Sequence, residues 1–182
     1  MNMYSRTEIL KPPDVQPEWS RPPPLVAQIA AWGAFASTVP SAVWRVMMIT
    51  GVLPGTADLR MAHAGEELYV WGLSLVQLAA GFLAIGLIRP WGERIGGLKI
   101  PHWIPIGFGI IGGCAVTYLF TIASLVGLAS GSRPDQGLVH GDALVIMVLC
   151  YAPIIFWGPL ELAAVFAFIR RVNDTAHRSI SH

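Results

Sequence analysis

Residues 104–129 read IPIGFGIIGGCAVTYLFTIASLVGLA, an apolar run without one charged side chain. A helix needs roughly 20 such residues to cross the hydrocarbon core of a bilayer, so this run is long enough to span it once. Three further apolar blocks lie at residues 25–53, 68–88 and 143–169. Because lipid offers the backbone no hydrogen bonds, each block is expected to be helical. The sequence therefore predicts an all-α fold, a four-helix transmembrane bundle.

The composition agrees with lipid as the main surrounding solvent. Hydrophobic residues make up 54% of the chain and charged residues 13%, whereas a soluble domain carries roughly a quarter charged residues. The formal net charge is only +1, so no strong overall field favours a nucleic-acid partner. The partner that the composition indicates is the lipid bilayer, and no cofactor is identified.

Basic residues predict the orientation of the bundle. They are concentrated in the proline-rich amino-terminal tail (residues 1–24), in the loop between the second and third blocks, and in the carboxyl-terminal tail (residues 170–182): Arg6, Lys11, Arg21, Arg89, Arg94, Lys99, Arg170, Arg171 and Arg178. The two other loops carry only Arg60 and Arg133. Since positively charged loops stay inside the cell, both termini are expected to be cytoplasmic.

A stripe of small and hydroxyl-bearing residues marks the third block as a packing helix. Gly109 and Gly113 form a G-x-x-x-G pair, and the same four-residue step continues through Thr117 to Thr121. Small residues let helix backbones approach closely in a bilayer, where the hydrophobic effect does not drive helices together. The stripe serves equally for packing inside one chain or between two copies, and internal packing is favoured.

Two ionisable residues, Arg45 and Glu161, lie inside the first and fourth blocks. Charges at membrane depth are costly and therefore suggest function. The two residues are expected to differ in depth by roughly 18 Å at 1.5 Å per residue, which argues against a direct ion pair. Arg45 is expected to reach an acidic residue of an outer loop or the lipid headgroups by snorkelling. Glu161 either bonds Thr or Ser on a neighbouring helix or binds a proton, cation or amine in a cavity.

Prolines are expected to distort two of the four helices. Pro40 lies in the first block, and Pro153 and Pro159 lie in the fourth. Each removes a backbone donor, so its helix should kink or open locally.

A weaker candidate is a divalent metal site on the outer face. His63 and Glu66 precede the second block, and His140 and Asp142 lie at the start of the fourth. Imidazole and carboxylate groups could share a metal if the two loops meet, but the spacings match no established metal motif. No catalytic motif for a nucleophile or a phosphate-binding loop is present either.

The loop between the second and third blocks contains Arg89-Pro90-Trp91-Gly92-Glu93-Arg94, followed by Pro101-His102-Trp103-Ile104-Pro105. It resembles the R-P-W-G-x-R and P-x-W-x-P loop of uncharacterised actinobacterial multi-pass membrane proteins. The Pro40–Arg45 segment is also similar to theirs. The resemblance implies a multi-pass protein of the bacterial plasma membrane and supplies no catalytic residues.

Three classes of function follow from these features. The leading one is a non-enzymatic membrane component that packs with itself or with a larger membrane complex, as the small-residue stripe suggests. The alternative is a small transporter or channel subunit with a polar path at Glu161. The third is a membrane-embedded enzyme that uses the outer histidines and acids.

Overall fold

The computed structural model of the chain describes residues 23–89, 94–95, 98–132 and 137–180, and in residues 94–95, 98–99 and 175–180 it describes the backbone alone. Residues 1–22 of the predicted proline-rich tail lie outside the described residues, as do Trp91 and Arg133. The described part contains four helices long and apolar enough to cross a membrane. The predicted four-span helical fold is confirmed.

The first span is α1 (Leu25–Thr50), and the second is α3 (Glu67–Gly86). Between them lies the short helix α2 (Ala57–Ala62). The third span, Trp103–Ala129, joins α4 (Trp103–Val116), a π-helical turn (Thr117–Ile122) and α5 (Ala123–Ala129). The fourth, Asp142–Asp174, joins α6 (Asp142–Tyr151), a 3-10 turn (Ala152–Phe156) and the first part of α7 (Trp157–Ile180). In the loop between spans two and three, β1 (Arg94–Ile95) pairs antiparallel with β2 (Leu98–Lys99).

The first span is the centre of the bundle. It packs against the second span and against both halves of the fourth. Alanines on its inner face permit this close contact, and Ala31 and Ala34 are fully buried. The third span is peripheral: 6% of its most apolar stretch is buried inside the chain, against 44% for the first span. Among the described residues, the third span packs mainly against the fourth span.

Glycines form the seam between the third and fourth spans. A Cβ added to Gly109 would collide with Val165, and one added to Gly113 would lie 2.7 Å from a Leu162 methyl group. On the opposite side of the seam, a Cβ on Gly158 would lie 2.6 Å from the Cα of Thr117. The small-residue stripe of the third span thus packs inside this chain, against the fourth span.

Both spans depart from α-helical geometry at the end of the seam. Pro159 has no amide hydrogen to donate to the carbonyl of Ile155, which lies one turn before it. Thr121 Oγ1 donates to that carbonyl at 2.5 Å. Neighbouring hydroxyls are a usual means of satisfying carbonyls that a proline frees in a membrane helix. The π-helical turn of the third span and the 3-10 turn of the fourth lie against each other here.

The two spans diverge beyond this level. We call the end of the bundle that carries α2 the α2 end. There α6 packs on the first span through Ala143 and Met147, in a cluster with Trp44. In contrast, α5 packs substantially only against the π-helical turn that precedes it, among the residues that the structure describes. The described parts of α5 and α6 have no substantial contact with each other, and we call the space between them the gap. Both helices carry exposed apolar side chains: Leu125, Val126, Leu128, Val145, Val148 and Leu149.

The loops at the α2 end meet at a glycine. Gly55 has a φ of +83°, and a Cβ there would lie 2.7 Å from the carbonyl oxygen of His140. The amide of His140 donates in turn to the Gly55 carbonyl at 3.4 Å. This contact covers Val139, which is fully buried.

Gly158→Ala should destabilise the fold, because the added methyl group would press on the backbone of Thr117, which cannot rotate away. Overpacking of this kind costs about 1–3 kcal/mol. Thermal unfolding in detergent would measure the loss as a lower Tm. Gly107→Ala is the matched control, since nothing lies within 4 Å of a Cβ at that position. An unchanged Tm in Gly158→Ala would contradict the close seam.

Candidate functional site: buried polar side chains between the spans

Three polar residues of the first span share the face that meets the second span. Thr38, Ser41 and Arg45 are spaced by three and four residues, which aligns them on one side of a helix. Thr38 and Ser41 are fully buried. Their hydroxyls donate to carbonyls one turn earlier, at 2.7 Å to Phe35 and 3.0 Å to Thr38. This local bonding leaves the hydroxyl oxygens able to accept bonds from another span.

Gln77 of the second span joins these residues into one network. Its Oε1 accepts a hydrogen bond from Arg45 Nη1 at 2.5 Å. Its Nε2 donates to Ser41 Oγ at 2.6 Å and to the Thr38 carbonyl at 3.0 Å. A guanidinium can only donate, so the amide oxygen of Gln77 must face Arg45, and its amide nitrogen must face Ser41 and the Thr38 carbonyl. The bonds to Ser41 and to the Thr38 carbonyl fix the Gln77 amide, and the fixed amide in turn holds Arg45 in position.

Arg45 lies between three spans. Its side chain is 7% exposed, and its Cζ is 5.7 Å from the centre of the Tyr151 ring on the fourth span. The expected ion pair between Arg45 and an acidic residue of an outer loop is not formed within the described part of the chain, because Arg45 Nη1 donates to Gln77 instead. The alternative expectation, contact with the lipid headgroups, stays a prediction.

Glu161 lies further along the fourth span. It follows Tyr151 by ten residues, roughly 15 Å at about 1.5 Å per residue, so the two buried ionisable residues occupy different levels. Its side chain is 9% exposed, and its Oε1 lies 3.6 Å from where a Cβ of Gly112 would stand. Gly112 thus leaves the space that the carboxyl group borders.

The expected bond from Glu161 to Thr or Ser of a neighbouring helix is not formed by the described residues. Thr117 donates to the Gly113 carbonyl at 2.6 Å, and Thr121 donates to Ile155 as described above. The indole N–H of Trp157, one turn earlier, lies beside the carboxyl group, but the two groups do not form a hydrogen bond. Trp157 Nε1 is the one fully buried side-chain polar atom without a hydrogen-bond partner in the described ranges.

The histidines and acids of the two predicted outer loops do not form a metal centre among the described residues. The backbones of the two loops meet at Gly55 and His140, but the side chains of His140, Glu66 and Asp142 are exposed. His63 is half-buried, and its Nδ1 lies 2.9 Å from the Leu59 carbonyl in its own helix. No group of three His, Cys, Asp or Glu side chains is placed to hold a metal in this part of the chain.

Of the buried polar side chains between the spans, only the charged residues Arg45 and Glu161 were predicted from the sequence as site residues. Gln77, which makes most of the bonds in this polar core, carries no charge and was not predicted as a site residue, nor were Ser41 and Tyr151. A signal was present: Ser74, Gln77 and Gly81 follow each other at helical spacing in an otherwise apolar block. Polar and small residues on one face of a membrane helix indicate the face that meets another helix.

No family model matches the chain, and neither a curated protein nor a solved structure matches it. Its function is therefore inferred from the polar core and from the packing of the spans.

Replacing Gln77 by Leu should destabilise the protein by about 1.5–3 kcal/mol, the range for a hydrogen bond to a charged group, because Arg45 would stay buried without its acceptor. Thermal unfolding of the single and double variants measures the effect. The double variant Arg45→Met with Gln77→Leu should recover part of the loss, since removing both partners leaves no buried charge. Additive losses in the double variant would show that the pair is not energetically coupled.

Proposed function

We propose that this protein is a self-associating, non-enzymatic component of the bacterial plasma membrane, with both termini in the cytoplasm. The observation that carries the proposal is the outer half of the third span, α5, which is helical and apolar but has no substantial packing against another described helix. The membrane-spanning character of the chain rests on its four long apolar helices. The orientation rests on the positive-inside distribution of basic residues.

The gap between α5 and α6 is the helix-docking surface in this proposal. It begins where the π-helical turn at Thr117–Ile122 and the 3-10 turn at Ala152–Phe156 end. Along α5 no residue is buried, and a Cβ on Gly127 would meet nothing within 4 Å. A helix that enters the gap would contact α5 on one side and α6 on the other.

A second copy of the chain is the occupant that this geometry favours. Each chain supplies both an unpacked helix and the gap beside it, so a two-fold pair covers both at once. Small residues also point to a helix partner: Ala123 and Gly127 are four residues apart on α5, the spacing that lets two backbones approach. A helix of a different membrane protein is the other occupant to test.

Cysteine crosslinking in native membranes tests this proposal. The native cysteines are first removed as Cys114→Ala and Cys150→Ala. Ser124→Cys on exposed α5 should then give, with a short bifunctional thiol reagent, a crosslinked species with the mass of two chains. The matched control is Leu75→Cys, at a 70% exposed position of the second span, which should stay monomeric.

The masses separate the possible results. A product with the mass of two chains at position 124 alone supports self-association. A product of another mass identifies a different partner and overturns self-association. Monomer at both positions overturns assembly through α5.

A small transporter or channel subunit is the second candidate function, favoured by the unpartnered Trp157 indole beside Glu161. The buried Trp157 indole and the buried Glu161 carboxyl group do not hydrogen-bond to each other. A third group that lies between them can therefore bond to both. A carboxylate selects a proton, a cation or an amine as that group. In this second proposal, Glu161 holds the transported species at membrane depth.

In the transport reading, Glu161→Gln should abolish proton or cation uptake into proteoliposomes while leaving the folded yield unchanged, because the amide keeps the shape and loses the charge. A dye sensitive to internal pH, with potassium and ammonium as test ions, would measure uptake. The control is Glu66→Gln, at an exposed position outside the spans. Wild-type uptake no faster than in empty liposomes would rule out the transport reading, and loss of folded protein in both Gln and Ala variants would indicate a structural carboxyl group.

A further inference from the structure

Arg45 carries a buried positive charge that no described carboxylate pairs with. Its one hydrogen bond to a described residue is to the neutral amide of Gln77. Six acidic residues have described side chains, and none of them forms an ion pair with it: Asp58, Glu66, Glu67, Asp142, Glu161 and Asp174. An arginine does not lose its proton in a protein, so the charge cannot be removed by titration. A buried cation of this kind is normally paired.

The guanidinium is held in one position. Gln77 binds one of its terminal nitrogens and is itself fixed by two bonds to the first span. The Tyr151 ring lies near the guanidinium from the fourth span. Side chains that bind a ligand specifically are held in this way by neighbours that leave one edge free.

One edge of the guanidinium is free. The Nε and Nη2 groups make no hydrogen bond with the described residues, and they reach accessible surface, since only Trp157 Nε1 is both fully buried and unpartnered there. The second span packs on the first span and on α7 but not substantially on α6. This unpacked boundary lies between the elements that carry Gln77 and Tyr151, the two side chains that flank the guanidinium.

We propose that Arg45 is an anion-binding residue, and that its free edge takes a carboxylate or phosphate group entering between the second span and α6 at the α2 end. The remaining N–H donors of a guanidinium form a planar fork that matches two oxygens of such a group. The edge of a guanidinium offers donors alone, so a cation would find no acceptor on it. The anion is either the headgroup phosphate of a lipid or a free solute with the same group.

Binding to the purified full chain tests the proposal. Inorganic phosphate and acetate are the free probes, read out as a rise in Tm in a neutral detergent. Nanodiscs of phosphatidylglycerol, against nanodiscs of phosphatidylcholine, are the lipid probe, read out by native mass spectrometry as retained lipid. A rise in Tm with phosphate or acetate identifies a free anion, and retained phosphatidylglycerol without such a rise identifies a headgroup.

Gln77→Glu is the most informative variant, because it leaves Arg45 in place and puts a carboxylate beside it. This internal counter-charge should weaken binding of the responding probe at least about tenfold while the variant stays folded. Arg45→Gln should abolish binding, and Arg45→Lys, which keeps the charge without the fork, should weaken it. Arg60→Gln, at an exposed arginine of α2, is the control and should bind as the wild type does.

Three results would overturn the proposal. One is a wild-type protein that responds to neither free anion and retains no phosphatidylglycerol. Another is undiminished binding in folded Gln77→Glu. The third is equal loss in Arg60→Gln, which would indicate a general surface attraction. If Arg45→Gln fails to fold, the comparison of Gln77→Glu with the wild type still decides.

Discussion

Inside a bilayer, a polar group that finds no partner within the protein finds none at all. The carbonyl of Ile155 shows how strongly this requirement shapes the bundle. Pro159 cannot donate to it, and Thr121 of the third span does so instead. That bond joins the third and fourth spans at the level where both leave α-helical geometry. The seam between them ends at this level, and the gap between α5 and α6 begins there.

The same requirement accounts for the choice of glutamine in the polar core. Arg45 offers only donors and the Thr38 carbonyl offers only an acceptor, so a side chain that bonds to both must supply one acceptor and one donor. An amide side chain carries one group of each kind. Gln77 lies between them and serves both. A carboxylate at position 77 would match Arg45 but could not donate to the carbonyl when ionised, and a hydrophobic residue would satisfy neither.

The sequence was sufficient to predict the spans, because a span depends on a local property, the length of an apolar run. The contacts between residues of different spans were harder to predict. Arg45 and Gln77 are 32 residues apart in the chain, and their contact depends on the rotation of two helices about their axes. Arg45 was noticed for its charge, but its charge suggested an acidic partner and led away from a neutral one. Glu161 was noticed in the same way, while its neighbour Trp157 was not.

The glycine stripe shows a different limit. Gly109 and Gly113 indicate a close contact, but only the three-dimensional arrangement shows that Val165 and Leu162 of the same chain fill it. Once that stripe is occupied, the part of the third span left unpacked is α5. The signal that suggested assembly and the surface that now supports it are therefore different parts of one helix.

The position of α6 explains why the gap beside α5 is not closed from within. α6 is held to the first span by the cluster of Trp44, Ala143 and Met147. The loop between α5 and α6 is held at the same end of the bundle, because His140 in that loop contacts Gly55. Moving α6 towards α5 would open that cluster and expose Trp44, which is now 1% exposed. Moving α5 towards α6 would require the π-helical turn to change its geometry while Thr121 keeps its bond to Ile155. Both movements break contacts that the fold already makes, whereas a helix that docks on α5 displaces only lipid. The proposed self-association is thus a way to pack α5 that leaves the fold unchanged.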